Sequence, residues 1–485
     1  MNSSYEEKLK TIFPGLVVPK SLASSQEIAK IPRFISEYLI QKLSEKTGDE
    51  KEIARRVAEF LARYRPEHKD REWLKSQILE EGNVKVLDFF DAYTDLEEAI
   101  YYVDIPLMGI RNVVVPKKVK DENENLLRGG MWGLGTIGFA QFTDNTVKES
   151  DPEFLKRLFK SNQKEEERLM LGLLQFIPFQ FTRCDVRYFM EARKEFELEE
   201  WLEMLINTIG LNPLQYTSFK EKLILLTRLV PFVEENVFLA ELSEPGTGKT
   251  FLFDKLSGYS RVISGSVETP ANLFFHGAKR KPGILATSDV VLFDEIDKVG
   301  KRKMDPEVVS KLLKFMESGV FDRAGQEISS SASVVFGGNL KEFLTPLYLL
   351  FPKEMQHKAF FDRIYGFIPG ELLPRIGKSE EFVSTSLGLT SDYFSEILHR
   401  LRRISFTGIV KAKIKIIKGD ARDEKPILKI TSALLKLLYP HLQFSTEEFK
   451  GLVDYAVEMR NRAIKEIKLM DPQANVREVE IEVVE

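Results

Sequence analysis

The sequence predicts an α/β core on a mostly parallel sheet, followed by a helical C-terminal segment and preceded by an α+β N-terminal region. Three observations carry this. Between about 233 and 370, buried apolar runs alternate with amphipathic stretches, the rhythm of βαβ units. From Asn83 to Phe181, short apolar runs are broken by glycine and Asp-Asn turn signals, as strands are. On either side of these segments, apolar residues recur at helical spacing.

Taken in order, residues 1–82 read as helices. Ile35, Leu39 and Leu43, then Ile53, Val57 and Leu61, fall on one helical face, and Pro14-Gly15 and Arg65-Pro66 interrupt the pattern. Residues 83–195 form a strand-rich region with runs at Val84–Phe90, Val113–Val115 and Met131–Phe142, interrupted by a charged helix around Asp151–Leu169. Residues 196–370 hold helices up to Pro231 and then the βαβ core. Residues 371–485 are mostly helical, with a hairpin expected between Ile409–Ile417 and Ile427–Ile430 and an alternating apolar and acidic tail from Val476.

Composition narrows the function. A chain of 485 residues with 43% hydrophobic and 30% charged residues is neither disordered nor collagen-like. The net charge of −4 means that any nucleic acid must be held by local basic patches. Cys184 is the single cysteine, so neither an internal disulfide nor a Cys-rich zinc site is available, and a cytoplasmic location is expected. The most apolar stretch, Leu169–Phe181, is shorter than the roughly 20 residues a membrane span needs. The first ten residues are polar, so secretion is not expected.

The most informative segment is Val237–Leu242 followed by Ser243-Glu244-Pro245-Gly246-Thr247-Gly248-Lys249-Thr250 and an amphipathic stretch. This is the strand, loop and helix that a phosphate-binding P-loop requires. Backbone N–H groups of the loop and the helix start cradle phosphates. Lys249 would reach the β- and γ-phosphates of ATP, and the Thr250 hydroxyl would hold Mg²⁺. Ser243 stands where the pattern has its first glycine, which leaves open a weakened site.

Two strands that follow agree with this reading. Asp289–Phe293 is an apolar run ending in Asp294-Glu295, 44 residues after Thr250. Asp294 would help to hold Mg²⁺, and Glu295 would activate the attacking water. Ser333–Asn339 is a second buried run, with Asn339 placed to touch the γ-phosphate or the water; the alternative is a plain turn residue. Arg363, after Ala359-Phe360-Phe361-Asp362, would reach a neighbour's nucleotide as an arginine finger, which requires a ring; the alternative is an ion pair with Asp362.

Two basic loops complete the inventory. Lys279, Arg280 and Lys281 lie between Gly277 and Gly283, and Arg323 sits near the tip of a hairpin turning at Ala324-Gly325. In a ring, both tips would face phosphates in the central channel; the alternative for each is a solvated loop. Lys301-Arg302-Lys303 reads as solvated surface.

With these residues in hand, the sequence resembles the AAA+ ATPases and, within them, the BrxL family of BREX phage-defence systems. The shared pieces include Phe13-Pro14-Gly15, Arg128-Gly129-Gly130-Met131-Trp132, Ile209-Gly210-Leu211-Asn212-Pro213, Leu223–Glu234, Met316-Glu317-Ser318-Gly319, Ala359–Ile364 and Leu434–Pro440, and they run over nearly the whole chain. The ATPase segment is also similar to the core of MCM helicases, through Asp294–Lys298 and the Glu317–Ala324 hairpin. The resemblance implies an N-terminal DNA-binding part with a β-barrel, OB-like in character, and a helical lid after the core. It also implies a hexamer or double hexamer with duplex DNA in the channel, together with other BREX components. Such proteins usually continue into a Lon-like domain with a Ser–Lys pair. This sequence closes at Glu485 after the lid, so no peptidase activity is expected. The lid position matching a sensor arginine holds Lys429. An ATP-hydrolysing ring on DNA is therefore expected; the alternatives are a nucleotide-regulated DNA scaffold with slow turnover, and a protein unfoldase gripping substrate with Phe274-Phe275.

Overall fold

The computed structural model describes residues 3–24, 31–44, 49–65, 67–127, 129–143, 146–149, 169–179, 184–265, 269–276, 281–299, 304–323, 325–340, 345–376 and 380–484. Two compact units are present: Leu22–Thr182, and Met1–Ser21 together with Arg183–Glu485. The chain starts in the second of these, with the helix Ser3–Ile12 and strand β1 (Val17–Pro19), which pairs antiparallel with Leu387–Leu389. The sequence pattern gave no sign of this strand, because three residues are too few to show a period.

The unit Leu22–Thr182 opens with the helices Arg33–Ser44, Glu50–Tyr64 and Arg71–Glu81. The Asp49 side chain caps the second by accepting from the Lys51 N–H at 3.0 Å, and Ile53, Val57 and Leu61 form its buried stripe, as their spacing requires. The third ends at Gly82, whose φ of 86° suits a residue without Cβ. Strands β2 (Asn83–Asp95), β3 (Ile100–Ile105), β4 (Ile110–Val114), β5 (Met131–Thr143), β6 (Thr146–Glu149) and β7 (Leu169–Pro178) follow. Their order is β2-β3-β4-β7-β5-β6, and β2 also pairs with β5. That extra pairing closes β2, β3, β4, β7 and β5 into a five-stranded barrel, with β4 and β7 parallel and the other pairs antiparallel. Closure removes the sheet edges that would otherwise invite other strands. The barrel is filled by Val86, Phe90, Val103, Ile105, Val113, Ile137, Leu173 and Phe176. Gly135 is needed at the centre of β5, because a Cβ there would lie 2.5 Å from the Phe90 ring. The charged helix expected around Asp151–Leu169 falls outside the described residues, apart from Leu169, which begins β7.

The other unit is built on a five-stranded sheet, parallel throughout, in the order Gly366–Phe367, Phe238–Ser243, Ser333–Asn339, Val290–Asp294, Ser260–Ser264. In chain order its strands are β8 (Phe238–Ser243), β9 (Ser260–Ser264), β12 (Val290–Asp294), β15 (Ser333–Asn339) and β16 (Gly366–Phe367), with two hairpins inserted: β10 (Phe275–His276) with β11 (Lys281–Pro282), and β13 (Val320–Arg323) with β14 (Gln326–Ser329). Every residue of β8 and β12 is buried, which is why both read as continuous apolar runs rather than alternating ones.

The C-terminal segment contains β17 (Leu387–Leu389), the helices Ser391–Leu401, Thr407–Ala412, Ala421–Leu438 and Thr446–Met470, and strands β18 (Ile414–Lys418) and β19 (Glu480–Val483). The expected hairpin is corrected here. Ile427–Ile430 lies inside the helix Ala421–Leu438, which a capping box between Asp420 and Asp423 starts, and β18 pairs with β19 in the tail instead. A four-residue apolar run does not distinguish strand from buried helix, and here the cap decides. Among the described residues, no helix is long and apolar enough to cross a membrane.

Candidate nucleotide site

The parallel sheet brings three strand ends together. Ser243 closes β8, Asp294 closes β12, and Asn339 closes β15 directly opposite Ser243 in the register. The carboxyl ends of parallel strands are where open α/β sheets hold ligands. The loop after β8 turns through Gly246 (φ 87°) and Gly248 (φ 79°), both left-handed, and enters the helix Lys249–Lys255. Glu244, Pro245, Gly246, Thr247, Gly248, Lys249 and Thr250 thus form one loop and helix start.

Lys249 is 6% exposed, and its Nζ donates to Ser243 Oγ at 2.9 Å, Glu244 O at 3.1 Å and Ser243 O at 3.3 Å. Burial pushes its ammonium below the usual lysine range. The Thr250 hydroxyl donates to Asp294 Oδ2 at 2.6 Å, joining the loop to the acidic strand end. Thr250 and Asp294 therefore present adjacent hard oxygen atoms, the donor type that Mg²⁺ takes. Glu295 has φ 56°, uncommon for a residue with a side chain, and its N–H donates to Asp294 Oδ1 at 2.9 Å. Gly265 makes room for it: a Cβ there would lie 3.1 Å from Glu295 Oε2. Lys298 pairs with the Glu295 carboxylate. The Asn339 N–H donates to Asp297 Oδ1 at 2.9 Å, tying the two strand ends.

Arg363 lies elsewhere on this unit. It is ion-paired with Glu317, at the end of the helix Pro306–Ser318, and Nη1 donates to Ala359 O at 2.5 Å. Its neighbour Asp362 pairs instead with Arg422 at 3.4 Å, so the Asp–Arg pair considered from the sequence is not formed. Arg460 fixes this segment by donating to Asp362 O at 3.2 Å and Ile364 O at 2.7 Å. Lys429 meets the carbonyl of Glu235, which precedes β8, whereas the loop 244–250 follows that strand.

Of the basic tips, Lys279 and Arg280 lie outside the described residues. Lys281 begins β11, opposite His276, and Arg323 ends β13, opposite Gln326. The two hairpins share a base: the Phe274 and Phe321 rings pack edge to face with centroids 5.1 Å apart. Phe274 and Phe275 are 0% and 8% exposed, so this pair is core and presents no exposed ring for gripping a polypeptide.

Sequence reasoning missed three residues at the loop. Arg228 and Glu241 pair beneath it, and Arg375 pairs with Glu244 on its surface while the Ile376 N–H donates to Gly246 O at 2.7 Å. A signal for the first two was present. Each is a lone charge in an otherwise apolar stretch, Leu223–Val233 and Val237–Leu242, and the charges are opposite.

Residues 171–479 match the family model for the ATPase domain of BrxL-like Lon-like proteases, and residues 11–139 match that for the N-terminal region of the BREX-system Lon protease-like protein BrxL. The chain is 30% identical over 466 residues to a "Lon-like protease BrxL" of Escherichia coli O9:H4 (strain HS), covering 94% of this chain and 63% of that one. It is 30% identical over 473 residues to the "Lon-like protease BrxL" of Bacillus cereus (strain H3081.97), covering 95% and 66%. The chain thus spans slightly less than two thirds of the length of these relatives. A full-length MCM homolog from Methanopyrus kandleri superposes with a TM-score of 0.43 and 11% identity over 79% of this chain and 78% of that one. The chain belongs to the BrxL family of BREX systems, and residues 171–479 are its ATPase domain.

Proposed function

We propose that the chain binds and hydrolyses ATP with Mg²⁺ at the loop 244–250, as a ring of six subunits around duplex DNA in a phage-restriction system. The observation that carries the ATPase reading is the 2.6 Å hydrogen bond from Thr250 to Asp294, with Lys249 buried beside it. Loop N–H groups would hold the phosphates, and Lys249 would lie against the β- and γ-oxygens. Thr250 and Asp294 would hold Mg²⁺, which neutralises charge developing on the phosphates. Glu295 would take the proton of the attacking water, and Asn339 would orient that water from the neighbouring strand end. Arg363, held by Glu317 within its own chain, would act on the nucleotide of an adjacent subunit. Lys279, Arg280, Lys281 and Arg323 would face the DNA backbone, and the N-terminal barrel would add DNA contacts.

The test is ATP turnover by the purified protein with and without duplex DNA, alongside a sizing measurement. DNA-stimulated hydrolysis by a ring-sized particle is expected. Lys249→Ala should lose ATP binding, and Glu295→Gln should bind ATP without hydrolysing it. A Lys249→Ala protein that retains ATP affinity would sink the assignment. The second reading, a DNA scaffold with slow turnover, is favoured by one observation: Ser243 Oγ engages the same Lys249 Nζ that phosphate needs. Tight DNA binding with negligible turnover would select it.

A further inference from the structure

Beneath the phosphate loop lies a buried polar network that no motif describes. Arg228 is 0% exposed and grips Glu241 with two hydrogen bonds, Nε to Oε2 at 2.9 Å and Nη2 to Oε1 at 2.6 Å. The same guanidinium donates to the Thr247 carbonyl at 2.8 Å and to Thr247 Oγ1 at 3.3 Å. Glu241 and Ser243 are two residues apart on β8, so they share a face, and the Ser243 hydroxyl donates to Glu241 Oε1 at 3.3 Å. Ser243 Oγ also lies 3.3 Å from Thr247 Oγ1 and accepts from Lys249 Nζ at 2.9 Å. Gly370 leaves space for the carboxylate, since a Cβ there would fall 2.4 Å from Glu241 Oε1.

This arrangement answers what serine does in the glycine position. Ser243 is an extended strand residue with no left-handed φ, so its Cβ carries no backbone strain. Its hydroxyl links an anchored carboxylate to the lysine that would meet the phosphates. Burying an ion pair costs desolvation that Coulomb attraction alone seldom recovers, so bonds to further partners decide whether such a pair is favourable. Here Arg228 uses two of its donors on the loop residue Thr247.

We propose that Arg228 and Glu241 are positioning residues of the nucleotide site, holding the loop through Thr247, and that the Ser243 hydroxyl competes with the β- and γ-phosphates for Lys249. The proposal rests on the reading of loop 244–250 as an ATP site and adds the residues that tune it. ATP must draw Lys249 Nζ away from Ser243 Oγ, whereas AMP has no β- or γ-phosphate to do so.

The experiment is competition of ATP, ADP and AMP against a fluorescent ATP analogue for the wild type, Ser243→Ala, Ser243→Gly and Arg228→Lys, with melting curves recorded for each. Ser243→Ala removes the hydroxyl alone and should tighten ATP and ADP on the order of tenfold while leaving AMP unchanged. Ser243→Gly should behave alike, which separates the hydroxyl from backbone freedom. Arg228→Lys keeps the charge but loses the two-pronged grip, and should lower kcat more than it raises KM for ATP. Equal tightening for all three nucleotides, or none, in a Ser243→Ala protein that melts like the wild type would overturn the competition. Unchanged kcat and KM in Arg228→Lys would overturn the positioning role. A wild type that binds no ATP would overturn the underlying site reading as well.

Discussion

The two ends of strand β8 are both held by buried cations, but to different ends. At its carboxyl end, Arg228 bridges Glu241 and the loop residue Thr247. Just before its amino end, Lys436 pairs with Glu234 at 2.7 Å and donates to Val233 O at 2.8 Å, while Arg402 donates to Glu234 O at 3.2 Å. Ser432 donates to the same Glu234 carboxylate at 2.8 Å. Lys436 on Val233 O and Arg402 on Pro231 O cover carbonyls of the helix Val230–Val233, at the end where positive charge is favoured. Lys436 and Ser432 both belong to the helix Ala421–Leu438, so this end fastens that helix to the parallel sheet. The same kind of buried pair therefore holds a loop at one end of the strand and a helix at the other.

The largest effect should come from a residue that neither end retains. Arg363 is bound to Glu317 and not to the loop 244–250 of its own chain. If it completes a neighbour's site, Arg363→Ala should lower ATP turnover by about 10³-fold or more, the scale of arginine fingers in GTPases. ATP affinity should persist. Mixing Arg363→Ala with Lys249→Ala subunits should restore part of the activity, because each supplies what the other lacks. A mixture no more active than its parts would confine Arg363 to its own chain.

The joint at the amino end is tested by Lys436→Met. Lys436 is 0% exposed, and its loss leaves Glu234 buried with an unmatched charge. The expected cost is about 3–5 kcal/mol of stability, read from denaturant unfolding. The folded fraction should still bind ATP, since the loop network stands at the other end of the strand. If Lys436→Met removes ATP affinity from folded protein, the two ends are one device.

The hairpins extend the contrast to surfaces. Their bases are fixed by the Phe274–Phe321 contact, and Lys314 pairs with Asp322 beside Arg323. Arg323→Ala should weaken DNA binding equally for all sequences and lower the salt slope by about one unit. An unchanged affinity would place Arg323 away from DNA.

How much of this was legible follows from distance along the chain. The strand, glycine turn and helix around 243–250 and the strand ending at Asp294 were legible because the apolar runs and glycines that set them are contiguous in the chain. The helix Glu50–Tyr64 was legible from three apolar residues at one spacing. Who pairs with whom among the buried charges was not, although Arg228 and Glu241 each stand out as a lone charge in an apolar stretch. Arg228 and Glu241 are separated by a helix, a turn and most of a strand, and Glu234 meets Lys436 only because the helix Ala421–Leu438 folds back over about 200 residues. Nor was the pairing of β18 with β19, whose partners lie on either side of two long helices.

The smallest effect concerns Lys429, which donates to the Glu235 carbonyl just before the amino end of β8. Burial pushes its ammonium down to about 8, against the ordinary value of 10.5 in the unfolded chain. Between these two values the unfolded state holds a proton that the folded state has released. Lys429 therefore makes stability rise with pH across that window, and below pH 8 its full desolvation cost is in force. Lys429→Met removes the cost together with the bond to Glu235, so the variant should gain on the order of 1 kcal/mol at pH 7. That gain should fade as pH rises from 8 towards 10.5. Unfolding curves of the two proteins at pH 7, 8.5 and 10 measure this difference directly. A gap that widens with pH would mean that the ammonium of Lys429 helps to fasten the helix Ala421–Leu438, as that of Lys436 does, and that the amino end of β8 depends on both charges.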